Sequence, residues 1–101
     1  MASRLELQTF LEGLIESRNV YYDPPESVKM RYPAIRYSKA KVQNIRANNS
    51  VYKQHTAYDV TVMYYDPDSD LSDRVSKLPM CSFDRHYVVD NLHHDTYRLY
   101  W

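Results

Sequence analysis

The residues best suited to bind a metal or to attack a substrate lie near the end of the sequence, where Cys81 is followed by His86, His93 and His94. Imidazole and thiolate groups are preferred zinc ligands, and a thiolate beside an imidazole is a potential nucleophile. Residues 81–101, however, read as a β-hairpin, so adjacent His93 and His94 point to opposite faces. Cys81 and His86, five positions apart, also face opposite sides of a regular strand. The spacing therefore predicts neither a metal site nor a catalytic cysteine.

A second group of candidate ligands is acidic and comprises Asp66, Asp68, Ser69, Asp70 and Asp73. An EF-hand calcium loop needs a central glycine and a distal glutamate, and this segment has neither. A turn in which Asp68, Ser69 or Asp70 caps the following helix explains these residues better.

The sequence contains a single glycine, Gly13, within the first predicted helix. Loops that hold phosphate groups, and the tight turns that expose a catalytic serine, need glycines at fixed spacing. Most enzymes of these two kinds are therefore disfavoured. Because the metal, cysteine and calcium candidates also fail, we expect a protein that is not an enzyme and needs no cofactor.

Length and charge favour one domain spanning residues 1–101. Thirteen basic residues balance 13 acidic ones, so the chain lacks the positive field of a duplex-binding protein. One cysteine cannot form an internal disulfide, and no stretch approaches the roughly 18 apolar residues of a membrane span. We expect a cytoplasmic chain without a signal peptide or membrane contact. Its 11 tyrosines suit either a core or a subunit interface.

Hydrophobic periodicity predicts an amphipathic helix over residues 3–18. Ser3 and Glu6 have the spacing of a capping box, in which each side chain bonds to the backbone amide of the other. One apolar stripe recurs at helical intervals and should face the core: Leu7, Phe10, Leu11, Leu14 and Ile15. Residues 19–22 break this period, and Asp23, Pro24 and Pro25 exclude regular structure, which predicts a turn.

The middle of the chain predicts strands and a second, short helix. A strand is predicted over residues 30–37, in which Pro33 favours a sheet edge or a bulge. Residues 56–65 alternate, and one face carries Tyr58, Val60, Val62 and Tyr64. A helix of about two turns then precedes Pro79. The predicted fold is α+β: a mainly antiparallel sheet, both helices on one face, and a C-terminal hairpin.

The register of the C-terminal hairpin depends on its turn. A three-residue loop, residues 90–92, pairs Phe83 with Leu99, Cys81 with Trp101, and Asp84 with Arg98. A two-residue turn at residues 90 and 91 has better turn chemistry but pairs Phe83 with Arg98. Matching of the apolar faces favours the longer loop.

Residues 39–55 predict a protruding arm or a long hairpin, because they are basic and offer few core residues. Lysines beside tyrosines can hold single-stranded nucleic acid. The neutral total charge and the absence of a known binding motif favour instead a loop that is either solvated or in contact with another subunit. The residues expected at subunit interfaces are, in the arm and at its ends, Tyr37, Lys39, Lys41, Arg46, Tyr52 and Lys53, and, in the hairpin, Asp84, Arg98, Tyr100 and Trp101.

Three segments, RYPAIRY, YDVTVMYYDPDSD and CSFDRHYVVDNLHHDTYRLYW, resemble small proteins of tailed-bacteriophage morphogenesis, in particular tail terminators and head-to-tail joining proteins of the neck. The resemblance implies an α+β subunit that forms a ring, usually a hexamer, on the end of the tail tube. Its partners would be itself, the tail tube protein and a neck or head-completion protein, with DNA only passing through the lumen. It would be made in the host cytoplasm and reside in the virion tail.

Three alternatives remain open from the sequence. A head-completion or connector protein would form a ring of different order on the capsid side. A small module that binds and inhibits a host protein would be a monomer. The third alternative is an enzyme with a histidine-based site.

Overall fold

The computed structural model describes residues 4–25, 27–47 and 50–101, with side chains throughout these ranges except in residues 41–47 and 50–56. The described ranges form two helices and five strands, in the order α1 (Arg4–Ile15), β1 (Val20–Tyr22), β2 (Ala34–Ala47), β3 (Ser50–Tyr64), α2 (Leu71–Ser76), β4 (Cys81–Val89) and β5 (Leu92–Tyr100). Neither helix is long and apolar enough to cross a membrane.

The strands form one sheet in the order β1-β2-β3-β5-β4. β1 pairs with β2 in parallel, and all other neighbours are antiparallel. This arrangement, with an N-terminal helix, a second short helix and a C-terminal hairpin, confirms the α+β prediction. β1 was not predicted: its three residues, Val20, Tyr21 and Tyr22, are good strand formers, but they are too few to show a period.

The main core lies between the helices and one face of the sheet. α1 contributes Leu7, Leu11 and Ile15, and α2 contributes Leu71 and Val75. The predicted apolar face of β3 is buried against them, as periodicity required. The two helices are also joined directly, because Arg74 Nη1 donates a hydrogen bond to the carbonyl of Leu14 at 3.1 Å. Ser3 of the proposed capping box lies outside the described residues.

A smaller apolar cluster covers part of the opposite face of the sheet. Ala34, Met63 and Leu92 are buried there, and Met30 and Tyr32 from the segment before β2 pack on them. The predicted strand over residues 30–37 therefore starts too early. Pro33 precedes β2, which is an interior strand where it pairs with β1, so the predicted edge position is wrong.

The β2–β3 hairpin extends beyond the rest of the sheet. β1 pairs only with residues 35–37 of β2, and β5 only with residues 57–64 of β3. In the described backbone, residues 42–47 of β2 and 50–56 of β3 therefore pair with each other alone, from Val42 opposite Thr56 to Ala47 opposite Ser50. The molecule is elongated, with extents of 49, 24 and 23 Å.

The C-terminal hairpin has a register that differs from the prediction. Its turn contains only Asp90 and Asn91, with φ of 51° and 67°, and Val89 pairs with Leu92. Aspartate and asparagine tolerate this left-handed conformation, which a two-residue hairpin turn requires. The three-residue loop is therefore wrong.

A β-bulge after Phe83 resolves the mismatch that argued against the shorter turn. The bulge adds one residue to β4, so Phe83 pairs with Tyr97 and Cys81 pairs with Leu99. The predicted partners Leu99 for Phe83 and Trp101 for Cys81 are wrong.

The predicted pair between Asp84 and Arg98 is also wrong. Asp84 lies at the bulge, where its carboxylate accepts a hydrogen bond from Thr96 Oγ1 at 3.2 Å. Arg98 instead reaches across to β3, and its Nε donates to Asp59 Oδ1 at 2.9 Å.

Candidate functional site

The most exposed apolar surface of the sheet is its edge strand, β4. Phe83, Val88 and Val89 are 58%, 50% and 52% exposed, and Met80 immediately before the strand is also exposed. As the last strand of the sheet, β4 presents unpaired backbone N–H and C=O groups along its outer side. The bulge and the charges of residues 84 and 85 interrupt its first half. Residues 87–89 form an uninterrupted apolar stretch without lysine or proline.

Contacts with β5 hold the aromatic side chains of this edge in place. The Phe83 ring lies edge-on to Tyr97 at 5.6 Å between centroids, on the face covered by the helices. Tyr87 stacks on His94 at 4.6 Å, on the other face. Both rings are supported by β5 and remain partly exposed, and the Arg85 guanidinium lies over the Tyr87 ring at 6.0 Å from its centroid. An ordered, half-exposed aromatic edge of this kind is suited to binding another protein surface.

A buried polar network underlies the same edge. Asp95 is 5% exposed, and its carboxylate accepts hydrogen bonds from the hydroxyl of Tyr64 at 2.7 Å and from Nδ1 of His86. Burial alone would raise the pKa of Asp95, but hydrogen bonds from Tyr64, His86 and Ser72 lower it below its usual value. Burial and the bond to Asp95 raise the pKa of Tyr64. The network ties β4 to β5 and β3.

The three histidines of the C-terminal hairpin divide between the two faces of the sheet. His93 and His94 lie on opposite faces, as alternation predicted: His93 stacks on Tyr64 and His94 on Tyr87. His86 and His93 share a face, with ring centroids 5.5 Å apart. Within the described residues, no group of three histidine, cysteine or acidic side chains is arranged to hold a metal ion.

The sequence argument about Cys81 and His86 needs correction. Because the bulge adds one residue between them, Cys81 and His86 lie on the same, helix-covered face of the sheet. There Cys81 packs on the main core and His86 binds Asp95. Their partners, Leu99 and Asp95, are four residues apart on β5, or about 13 Å, which is too far for proton transfer. Burial also raises the pKa of the Cys81 thiol, which disfavours the reactive thiolate.

One residue expected at an interface belongs to the core. Tyr37 is buried, and its hydroxyl donates to Gln8 Oε1 at 2.6 Å and accepts from Arg4 Nη1 at 3.2 Å. Its ring also contacts Tyr22 and Tyr58. The expectation for Tyr37 is therefore wrong for a folded subunit, because its ring fills the space between α1 and the sheet.

The remaining interface candidates are dispersed. Lys39 is exposed where the hairpin leaves the sheet, and Asp84 is exposed on the edge strand. Arg98 and Tyr100 lie together, partly exposed, on the face opposite the helices, while Trp101 is half-buried against Phe10. The side chains of four hairpin candidates lie outside the described residues: Lys41, Arg46, Tyr52 and Lys53.

Sequence reasoning missed the apolar edge, because alternation does not distinguish an edge strand from an interior one. Comparison with known proteins adds no further constraint: no protein-family model, no curated protein and no solved structure matches this chain.

Proposed function

We propose that this chain is a structural subunit that binds other copies of itself and assembles into a ring. The apolar edge strand β4 is the observation that carries the proposal. Three side chains at least half exposed, Phe83, Val88 and Val89, border a row of unpaired backbone groups. Soluble monomers normally protect such an edge with charges, proline or a covering segment.

The β2–β3 hairpin supports a second copy as the partner. Beyond residue 37 of β2 and before residue 57 of β3, the described backbone pairs only within the hairpin. A long hairpin of this kind gains stability when it packs against another surface. The subunit therefore carries an unpaired edge on one strand and an overhanging hairpin on two others. Two different contact surfaces permit a head-to-tail interface, which forms a ring when its rotation closes.

The specific role that we propose is that of a tail terminator in a tailed bacteriophage, a ring that caps the tail tube and joins it to the neck. The resemblance of the three quoted segments supports this role. Its partners would be the tail tube protein and a neck or head-completion protein, and the assembled ring would reside in the virion. A connector ring on the capsid side is the second candidate, because it would use the same kind of interface.

Native mass spectrometry of the purified protein over a range of concentrations tests the proposal. We expect a discrete ring for the wild type and a folded monomer for Val88→Lys, because this substitution places a charge on the exposed edge. Leu5→Lys is the matched control: Leu5 is 65% exposed on α1, away from β4, and its replacement should leave the ring intact. A wild-type protein that is monomeric at every concentration, or a Val88→Lys ring as stable as the wild type, would contradict the proposal. A persistent monomer would favour a host-binding module.

The tail terminator role has its own test. Added to polymerising tail tube protein of the same phage, the ring should bind one end of each tube and stop its growth, as seen by electron microscopy. A ring that binds capsid portals and leaves tube length unchanged would instead favour the connector role.

A further inference from the structure

A cleft of about 460 Å³ lies at the end of the sheet where β2 begins and β3 ends. Its walls include three tyrosines and three aspartates: Tyr32, Tyr64, Tyr65, Asp66, Asp68 and Asp70. Tyr32 and Tyr65 meet edge-on at 5.5 Å between ring centroids, and Tyr65 is 56% exposed. Among the residues that the structure describes, no lysine or arginine lines the cleft.

This combination of groups is suited to a cationic side chain. Aromatic faces attract lysine and arginine through their π electrons, and carboxylates add charge-assisted hydrogen bonds. Asp70 is already paired, at 3.1 Å, with Arg74, which does not line the cleft. Asp66 Oδ1 accepts only the backbone amide of Asp68 in the described part of the chain, at 2.9 Å. The charges of Asp66 and Asp68 are thus available to an incoming cation.

The basic segment of the chain is placed at the other end of the molecule. Ala34 of β2 pairs with Met63 beside the cleft, whereas Ala47 pairs with Ser50 at the far end of the hairpin. The 14 residues of β2 correspond to about 43 Å of extended strand. The backbone of Arg46 and Lys53 lies in the far part of this hairpin, too distant from the cleft for either residue to reach the cleft of its own subunit.

We propose that the cleft binds a basic side chain from the far part of the β2–β3 hairpin of a second copy, with Arg46 and Lys53 as the candidates. Charge complementarity identifies this occupant. Residues 38–55 contain four basic residues and no acid, whereas residues 66–70 contain three acids and no basic residue, in a chain of zero net charge. The inference rests on the proposed function and specifies one contact of the assembly.

Neutralising the cleft should weaken assembly without unfolding the subunit. In the double variant Asp66→Asn and Asp68→Asn, the amide oxygen introduced at position 66 still accepts the backbone bond of the loop. By sedimentation velocity we expect its apparent dissociation constant to rise about tenfold or more. Wild-type association should also weaken as NaCl rises from about 0.05 to 0.5 M, because the Debye length falls. Asp23→Asn, another exposed aspartate, is the matched control and should have no effect.

A charge exchange tests whether the two surfaces meet. One variant carries Asp66→Lys and Asp68→Lys, and the other carries Arg46→Glu and Lys53→Glu. Each alone should associate poorly, and their equimolar mixture should recover association, since each cleft then faces a hairpin of opposite charge.

The outcomes separate this inference from the proposed function. If Val88→Lys dissociates the ring while the cleft variants and the mixture behave like wild type, the cleft contact is refuted and the ring stands. If the wild type never associates, both proposals fail. Circular dichroism of each variant shows whether a loss of association is due to unfolding. If the lysine or glutamate variants unfold, the double variant Asp66→Asn and Asp68→Asn decides the outcome.

Discussion

Removal of one hydroxyl group, in Tyr64→Phe, tests whether the polar network holds the edge strand in place. The Tyr64 hydroxyl donates to the buried carboxylate of Asp95 at 2.7 Å, while the ring packs in the main core. Phenylalanine retains the ring contacts and deletes only the donor. Asp95 keeps its bond with His86, so the variant loses one interaction without leaving the charge unpartnered.

The expected cost follows from the type of bond that is lost. A hydrogen bond to a charged group contributes about 1.5–3 kcal/mol, so Tyr64→Phe should lower the free energy of unfolding by about 2 kcal/mol. For a domain of this size, that change corresponds to a decrease in Tm of about 8–16 °C. Tyr65→Phe is the matched control, because its side chain is exposed and its hydroxyl makes no hydrogen bond among the described residues. It should change stability by less than about 0.5 kcal/mol.

The effect should depend on pH with a defined sign. The folded-state pKa of Asp95 is lowered, so its contribution to stability is fully present above the unfolded pKa of about 3.9 and is lost as the pH falls through the folded value. Tyr64→Phe removes part of that lowering. The difference in unfolding free energy between the wild type and Tyr64→Phe should therefore be largest near neutral pH and shrink below about pH 4.

Urea denaturation monitored by the fluorescence of Trp101 provides the assay, since this is the sole tryptophan and it lies half-buried against Phe10. Protein concentrations should be low enough for the transition to be independent of concentration. Equal midpoints for Tyr64→Phe and Tyr65→Phe at pH 7, or a difference that grows on acidification, would refute the reasoning.

Three further predictions concern the backbone. Gly13→Ala should stabilise the protein by about 0.5–1 kcal/mol in urea denaturation, because Gly13 is helical and an added Cβ meets no atom within 4 Å; destabilisation would contradict this. Asn91→Ala should cost about 1 kcal/mol in thermal unfolding, since Asn91 has a φ of 67°, and Asn91→Gly should cost less; equal effects would argue against this turn. Replacement of residues 44–54 by Asn-Gly shortens the hairpin and joins the paired residues Gln43 and His55. This variant should keep the circular dichroism spectrum but form no ring in native mass spectrometry. An intact ring would exclude the hairpin from assembly.

The elements predictable from the sequence are those whose pattern repeats several times. α1 places three of five stripe residues fully in the core, with Leu14 packed beside them and Phe10 exposed at the margin. β3 buries the whole face that its alternation indicated. By contrast, Val20–Tyr22 shows no period, because three residues complete only one alternation, and its pairing with β2 is a long-range contact.

The hairpin shows where periodicity fails. Alternation assigns each side chain of a strand to one face of the sheet only while the strand has no extra residue. The bulge after Phe83 adds one residue to β4, so the residues before it point to the face opposite to the one that alternation from the turn assigns. The bulge moved Cys81 to the face of His86, whereas the two-residue turn alone already removes the register that would pair Asp84 with Arg98. No local signal in the sequence marks it, since Asp84 and Arg85 are ordinary exposed residues.

The candidate site depended on strand order, which the sequence does not specify. The run Tyr87–Val89 reads equally well as an interior strand, and its exposure follows from the position of β4 at the sheet edge. The opposite error occurred at Tyr37, whose place beside the basic arm suggested a surface position. The residue lies in β2 under α1, so tertiary packing buries it.

The acidic cleft and the basic part of the hairpin lie at opposite ends of the molecule. This arrangement allows either a reciprocal pair of subunits or a head-to-tail ring, and an experiment can distinguish the two. Two antiparallel copies could each place a hairpin at the other's cleft, and such a reciprocal pair would stop at two subunits. In a head-to-tail ring, each copy uses its hairpin with one neighbour and its cleft with the other. A variant with a neutral cleft, mixed with a variant lacking residues 44–54, separates the cases. In this mixture only the hairpin of the first variant and the cleft of the second can still bind each other. A reciprocal pair then remains a pair, whereas a ring that depends on the hairpin–cleft contact cannot close and should be replaced by species of two subunits. The lateral position of β4, on the border of the sheet away from the hairpin, favours the ring, because it supplies a contact that a reciprocal pair would leave exposed.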